Sequence, residues 1–220
     1  MGTTREKPEA QPAPLRRDAQ RNRELLIAAA REVYAEQGLE APLDDIARRA
    51  GVGNATLYRR FPSRQDLIEA VFGDGLTAIA QAGEQARRAE DAWEGLTGYL
   101  ETIFEGLAAD RGAIDLMTTG LRGVPSLDSL HGHNHETVSV LITRAQQQGT
   151  VRGDIVAEDL LFLLAALAKL VPLSAAVVPD AWRRYLTLLL DGLRTEAARP
   201  LPAPPLSMEE IGDVLEQMGS

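Results

Sequence analysis

The sequence predicts an all-α protein, and three observations carry that expectation. Apolar residues recur at helical spacing along most of the 220-residue chain. No alternating strand pattern of useful length interrupts them. Glycine and proline punctuation then cuts the periodic stretches into lengths typical of globular helices. Zero cysteines exclude disulfides and thiol catalysis, and with the charged N-terminus "MGTTREKPEAQPAPLRRDAQ" the chain reads as cytoplasmic rather than secreted. No apolar run of about 18 residues is present, so no membrane span is expected.

The elements follow in order. Residues 1–15 are rich in Pro, Ala and charge and read as a disordered arm. From Asp18 the pattern turns helical: Leu26, Ala29, Ala30, Val33 and Gln37 fall near one face, and Gly38 ends the run. "PLDDIARRA" is a second, short helix, with Asp44 and Asp45 at its positive end and Gly51 breaking it. "NATLYRRF" restarts as a third, with Asn54 near its cap and Pro62 at its end. Ser63 and Asp66 stand at capping-box spacing before a fourth helix that continues toward Ala89. Gly73 and Gly75 interrupt it, each costing roughly 1 kcal/mol in a helix interior; they suggest a hinge. Further helices are expected over about 92–109, 111–121, 126–148, 156–171 and 179–197, with Pro172 and Pro179 as punctuation. "ARPLPAPPL" is a stiff linker, and "SMEEIGDVLEQMG" a short helix that docks on its own body or on a partner. Four regions result: an arm over 1–15, a helix-turn-helix unit over 16–72, a helical body over 73–197, and the linker with its helix over 198–220.

Charge divides the chain unequally. Residues 1–73 hold twelve Lys/Arg against eleven Asp/Glu, a net of +1, whereas residues 74–220 hold eleven against twenty-one, a net of −10. An acidic body repels phosphates, so any nucleic-acid surface belongs to the first third. There, two short helices joined at a glycine turn fit a helix-turn-helix unit. Ile46, Val52 and Leu57 can close a small core, Phe61 plugs the end, and Asn54, Ala55, Tyr58, Arg59 and Arg60 face outward. Amide, phenol and guanidinium groups on one short helix match a surface that enters a major groove. A solvated arginine pair is the plainer alternative.

Residues about 22–72, including "AGVGNATLYRRFPSRQDL", resemble the DNA-binding domain of the tetracycline-repressor (TetR-type) family of bacterial transcriptional regulators. That resemblance implies a third helix that reads the major groove through Asn54, Ala55, Tyr58 and Arg59. It implies a phosphate contact for Arg64, where a lysine usually stands, and a basic arm of Arg16, Arg17 and Arg21 ahead of the first helix. Arg60 replaces a usual histidine, which keeps a phosphate partner but removes titration near neutral pH. Ala55 replaces a common glycine, and Pro42–Leu43 occupy a stretch that commonly carries a hydroxyl cap.

The resemblance further implies a dimer, a palindromic double-stranded DNA operator and a small-molecule effector that releases the repressor. "AEDLLFLLAALAKLV" and "AWRRYLTLLLDGL" are apolar nearly all round, and in the family two such helices, here about 156–171 and 179–197, form a four-helix bundle with a second subunit. The helices before them should enclose the effector, with Trp93, Phe104, Leu107, Met117, Leu121 and Phe162 as candidate lining residues. "LHGHNHE" places His131, His133 and His135 close together, so a metal sensor is an alternative, although no resident metal or cofactor is expected. An all-helical interaction module is the other. Enzyme signatures are scarce: "GDGLTA" fits a dinucleotide fingerprint only nominally, because no strand precedes it. No catalytic role is expected.

Overall fold

The computed structural model describes the backbone of residues 14–118, 121–175, 177–178, 180–197 and 199–218. Among these the chain folds into α1 (Pro14–Gln37), α2 (Leu43–Ala50), α3 (Asn54–Arg60), α4 (Arg64–Arg87), α5 (Ala92–Ala109), α6 (Arg111–Thr118), α7 (Pro125–Gln147), α8 (Ala157–Ala175), α9 (Ala181–Asp191) and α10 (Met208–Met218). A short 3₁₀ turn, Thr195–Ala197, follows α9, and a single bridge pairs Val151 with Arg194. The all-α expectation holds.

Several boundaries move. α1 is helical from Pro14 rather than Asp18, because proline suits an opening turn and "LRRDAQ" contains no helix breaker. Arg16, Arg17 and Arg21 therefore lie on the opening turns of α1 and not in an arm ahead of it; residues 1–13 of the expected arm lie outside the described residues. Gly53 is the cap of α3, in extended conformation, and Asn54 follows it as the first helical residue, near the cap as expected. α8 runs past residue 172 to Ala175, so Pro172 does not end it; the missing N–H forfeits only one bond, one turn from the helix end. α9 is shorter than expected and gives way to a turn at Gly192, while residue 179 lies outside the described set.

Local chemistry explains the elements around α3. Gly38 and Gly51 both take positive φ, 82° and 68°, to end α1 and α2, a conformation open to glycine at little cost. The Gly51 and Val52 N–H groups close the α2 terminus onto the Arg48 and Ala47 carbonyls at 3.2 and 3.0 Å. At the start of α4, Ser63 and Asp66 form the reciprocal capping box that their spacing announced.

Two apolar clusters organise the molecule. The first gathers Leu26, Tyr34, Ile46, Ala47, Leu57, Phe61, Leu67 and Ile68 from α1–α4, and also Leu116, Leu127 and Leu130 from α6 and α7. The second joins α5, α7, α8 and α9 through Leu96, Phe104, Leu141, Leu160, Trp182 and Leu186. α4 runs unbroken between them, through Gly73 and Gly75 alike. A Cβ on Gly73 would stand 2.9 Å from Glu69 Oε1 and 3.3 Å from Ser126 Oγ. That glycine serves the close approach of α7, and the helix shows no break at the hinge that the two glycines suggested.

α7 grips α4 at both ends. Ser126 donates its N–H and hydroxyl to Glu69 Oε2, at 3.1 and 2.6 Å. Eighteen residues later along the helix, Arg144 donates to the Arg87 and Ala89 carbonyls, both at 2.6 Å, where α4 has run out of its own donors.

Candidate nucleic-acid interface

α3 is placed by its buried face. Leu57 and Phe61 are sealed in the first cluster, and Ala47 lets α2 and α3 approach closely. Asn54, Ala55, Tyr58 and Arg59 are exposed together on the opposite face, as the sequence pattern requires. The Asn54 amide donates to Asp44 Oδ1 at 2.8 Å, which ties the start of α3 to the first turn of α2. On α1, Arg17 and Arg21 are exposed; the Arg16 side chain lies outside the described set.

Two arginines are placed differently from their neighbours. Arg60 is half-buried, and its Nε is buried without a hydrogen-bond partner. It lines a groove of about 630 Å³ between α1 and α4, beside Arg23, Arg31 and Asp66. Arg64 is half-buried too. Its Nη1 donates to the Ala41 carbonyl at 2.8 Å and to the Leu39 carbonyl, so it braces the α1–α2 loop from the start of α4. The adjacent Tyr34 phenol is pushed up to about 12, chiefly by burial, with the Arg64 charge opposing. Sequence reasoning did not single out Arg48, an exposed cation at the end of α2 that pairs with Asp45 at 2.8 Å. Its i,i+3 spacing to a carboxylate hid it among ordinary surface pairs.

The candidate effector residues do not form one set. Trp93, Phe104 and Leu107 belong to the second cluster, where Phe104 stacks on Trp182 at 5.8 Å and Arg194 lies 4.8 Å over Trp93. Met117 packs against both clusters, whereas Leu121 packs against the first. Phe162 is half-buried on α8, one residue before the exposed Leu163.

The histidines diverge because α7 is helical through all three, and steps of two residues turn about 200° around a helix axis. His133 turns to α4, with Nδ1 3.8 Å from Glu84, while His135 Nε2 meets Glu158 of α8 at 2.8 Å. That contact holds the Glu158 carboxyl below its usual range. His131 is exposed. Among the described residues no group of three or more His, Cys, Asp or Glu side chains could hold a metal ion, and the three histidines do not share one site.

A capped helix-turn-helix bundle, joined by one continuous helix to a larger helical body, is the architecture of a one-chain transcriptional regulator. Comparison with known proteins agrees. Residues 26–71 match the family described as "Bacterial regulatory proteins, tetR family", and residues 91–195 match "Transcriptional regulator SbtR-like, C-terminal domain". A solved TetR transcriptional regulator from Streptomyces coelicolor is 31% identical, covers 78% of this chain and 98% of its own, and superimposes with a TM-score of 0.50. The HTH-type transcriptional repressor KstR2 of Rhodococcus jostii is 25% identical over 79% of this chain and 91% of its own. The HTH-type transcriptional regulator UidR of Escherichia coli is 25% identical over 63% and 73% respectively. The chain belongs to the TetR family of bacterial transcriptional regulators. No described helix is long and apolar enough to cross a membrane.

Proposed function

We propose that this regulator acts as a dimeric repressor, binds a palindromic operator through paired α3 helices, and is released when a small molecule occupies the α5–α9 body. The observation that carries the reading is the pairing of two exposed surfaces. One is the polar face of α3. The other is an apolar stripe on α8 and α9, with Leu163, Leu170, Tyr185 and Leu188 between 44% and 56% exposed. A contiguous apolar stripe of this kind marks an association surface. One helix-turn-helix unit grips too little DNA for specific binding, so a two-fold partner answers both needs. The related KstR2 is itself named a repressor.

In this reading Tyr58 and Arg59 meet bases or phosphates, Arg17 and Arg21 meet phosphates, and Arg64 holds the α1–α2 loop so that its remaining N–H groups meet the backbone. Release follows from the grip of α7 on α4. A ligand that shifts α7 carries α4 with it as a unit, which changes the spacing of the two α3 helices. For the ligand to drive release it must favour the released form; a hundredfold preference is about 2.7 kcal/mol.

Selection of bound sites from random DNA tests the reading. A palindrome with half-sites one helical turn apart, or a multiple of it, is expected, together with a sedimenting dimer. A lone subunit, or selected sites without two-fold symmetry, refutes it.

A further inference from the structure

The first turns of α2 and α3 meet through two exposed polar side chains, Asp44 and Asn54. Asp44 is the second residue of α2 and Asn54 the first of α3. The bond between them is 2.8 Å long and runs from Asn54 Nδ2 to Asp44 Oδ1. A carboxylate only accepts, so this contact fixes the amide with its nitrogen toward Asp44 and its Oδ1 turned away. Among the described residues Asp44 meets no cation, whereas its neighbour Asp45 pairs with Arg48 at 2.8 Å. Asp44 Oδ2 accepts no hydrogen bond from a described residue either. A Cβ on Gly53 would stand in open space, and Ala55 adds only a methyl group, so the pair keeps a clear face to solvent.

An uncompensated carboxylate on a surface that approaches phosphates adds repulsion to every encounter. A base edge can reverse that balance. In the major groove two groups donate hydrogen bonds, the N4 amino group of cytosine and the N6 amino group of adenine. Guanine presents N7 and O6 and thymine presents O4, all of them acceptors. A carboxylate oxygen held there is satisfied by an amino group and repelled by the rest. Of the two amino-bearing bases cytosine suits it better, because adenine sets the N7 acceptor beside its amino group. The amide differs: Asn54 keeps Oδ1 and a second N–H free, one acceptor and one donor.

We propose that Asp44 is a specificity-determining residue of the DNA interface. Its Oδ2 accepts from the N4 amino group of one cytosine in each half-site, while its Oδ1 holds the Asn54 amide in place for the neighbouring base. Tyr58 and the arginines supply attraction to any duplex; Asp44 makes that attraction conditional on the base it meets. The proposal rests on α3 lying in the major groove, and it adds α2 to the surface that reads sequence.

The test is selection of bound sites from random duplexes by the full chain and by Asp44→Ala, followed by titration of the selected duplex. Wild-type half-sites should carry one cytosine preferred at least about tenfold over guanine and thymine. In Asp44→Ala that preference should vanish while the other positions keep theirs. Replacing the same cytosine by pyrimidin-2-one, which lacks the amino group, should weaken the wild type about tenfold and leave Asp44→Ala binding both duplexes alike. The wild-type half of this comparison uses the unaltered protein, so it does not depend on how the variant folds. Asp44→Asn, which adds a donor, should accept guanine or thymine at that position. The proposal is overturned if no cytosine preference depends on Asp44, or if the wild type binds the pyrimidin-2-one duplex as it binds cytosine. It is overturned equally if Asp44→Ala weakens every duplex alike, since the carboxylate would then only brace α3. Symmetric sites indifferent to Asp44 defeat this inference alone. Sites without two-fold symmetry defeat the dimer alone, because the cytosine comparison is read on whichever half-site is selected; no selected sequence at all defeats both.

Discussion

The α2–α3 pair and the α8–α9 pair treat their apolar residues in opposite ways. α2 and α3 are 8 and 7 residues long, and they bury Ile46, Ala47 and Leu57 while keeping polar side chains outward. Gly51 closes the end of α2 and Gly53 caps the start of α3, so within one chain that bundle is complete. α8 and α9 also bury a stripe, through Leu160, Leu164, Trp182 and Leu186, but leave Leu170, Tyr185 and Leu188 in contact with solvent. The first surface is polar over a closed core; the second is core material with one side uncovered. A surface that addresses a charged, hydrated duplex must be made of groups that tolerate water. A surface that addresses another copy gains by excluding it.

The contrast can be broken at several points, the largest first. If the α2–α3 bundle is a closed core, Leu57→Ala should cost about 2–5 kcal/mol in chemical denaturation and abolish duplex binding with it. The α8–α9 surface should behave otherwise. Leu170→Glu combined with Leu188→Glu should leave the far-UV helical signal intact and convert the protein to a single subunit in sedimentation. Its affinity for a two-half-site duplex should fall about a hundredfold or more, since the second half-site no longer binds as a tethered copy. Loss of fold in that variant would show that the stripe belongs to the chain's own core.

Smaller effects sharpen the picture. Arg59→Ala should weaken duplex binding about tenfold and, if the guanidinium meets a phosphate, lower the slope of log affinity against log salt by about one unit. An unchanged slope with relaxed preference at one base position would assign it to base reading instead. Ser63→Ala removes one half of the capping box and should cost about 1 kcal/mol of stability with little change in the dimer.

The smallest expected effect concerns the tail. Arg152 pairs with Asp154 at 2.6 Å, and the Leu201 N–H also points to that carboxylate. The arginine bond holds the Asp154 carboxyl down at about 2. Because the folded value is depressed, this clamp is fully present above the ordinary aspartate range and is lost as pH falls toward 2. Proteolysis of the 199–206 linker should therefore speed up below about pH 4 with an acid-stable protease, whereas Asp154→Asn should already be cut faster at pH 7.

Much of the α1–α4 region was legible in the sequence because its signals are local. Gly51, the Ser63–Asp66 spacing and the alternation of buried and exposed positions from Val52 to Phe61 each act within one turn of helix. The different placement of Arg60 was not legible, nor was the bracing role of Arg64. Both depend on where α1 and the α1–α2 loop sit relative to α4, and Arg64 finds its acceptors 23 and 25 residues away. The histidines show the same limit. Their clustering in sequence suggested a shared site, but helical rotation along α7 sends His133 to α4 and His135 to α8. The division of the effector candidates between two clusters, with Leu121 in one and Phe104 in the other, could not be read from spacing either.

Composition and local pattern alone determined that this chain is all-helical, that its first third carries the only region without strong negative charge, and that a capped helix-turn-helix lies there. Tertiary structure decided which side chains remain available to a partner and that α7 holds α4 at both ends. The physical reason is range. Helix propensity, capping and turn chemistry are set by neighbours within about four residues, whereas burial and hydrogen-bond satisfaction are set by packing between segments that the chain brings together only on folding.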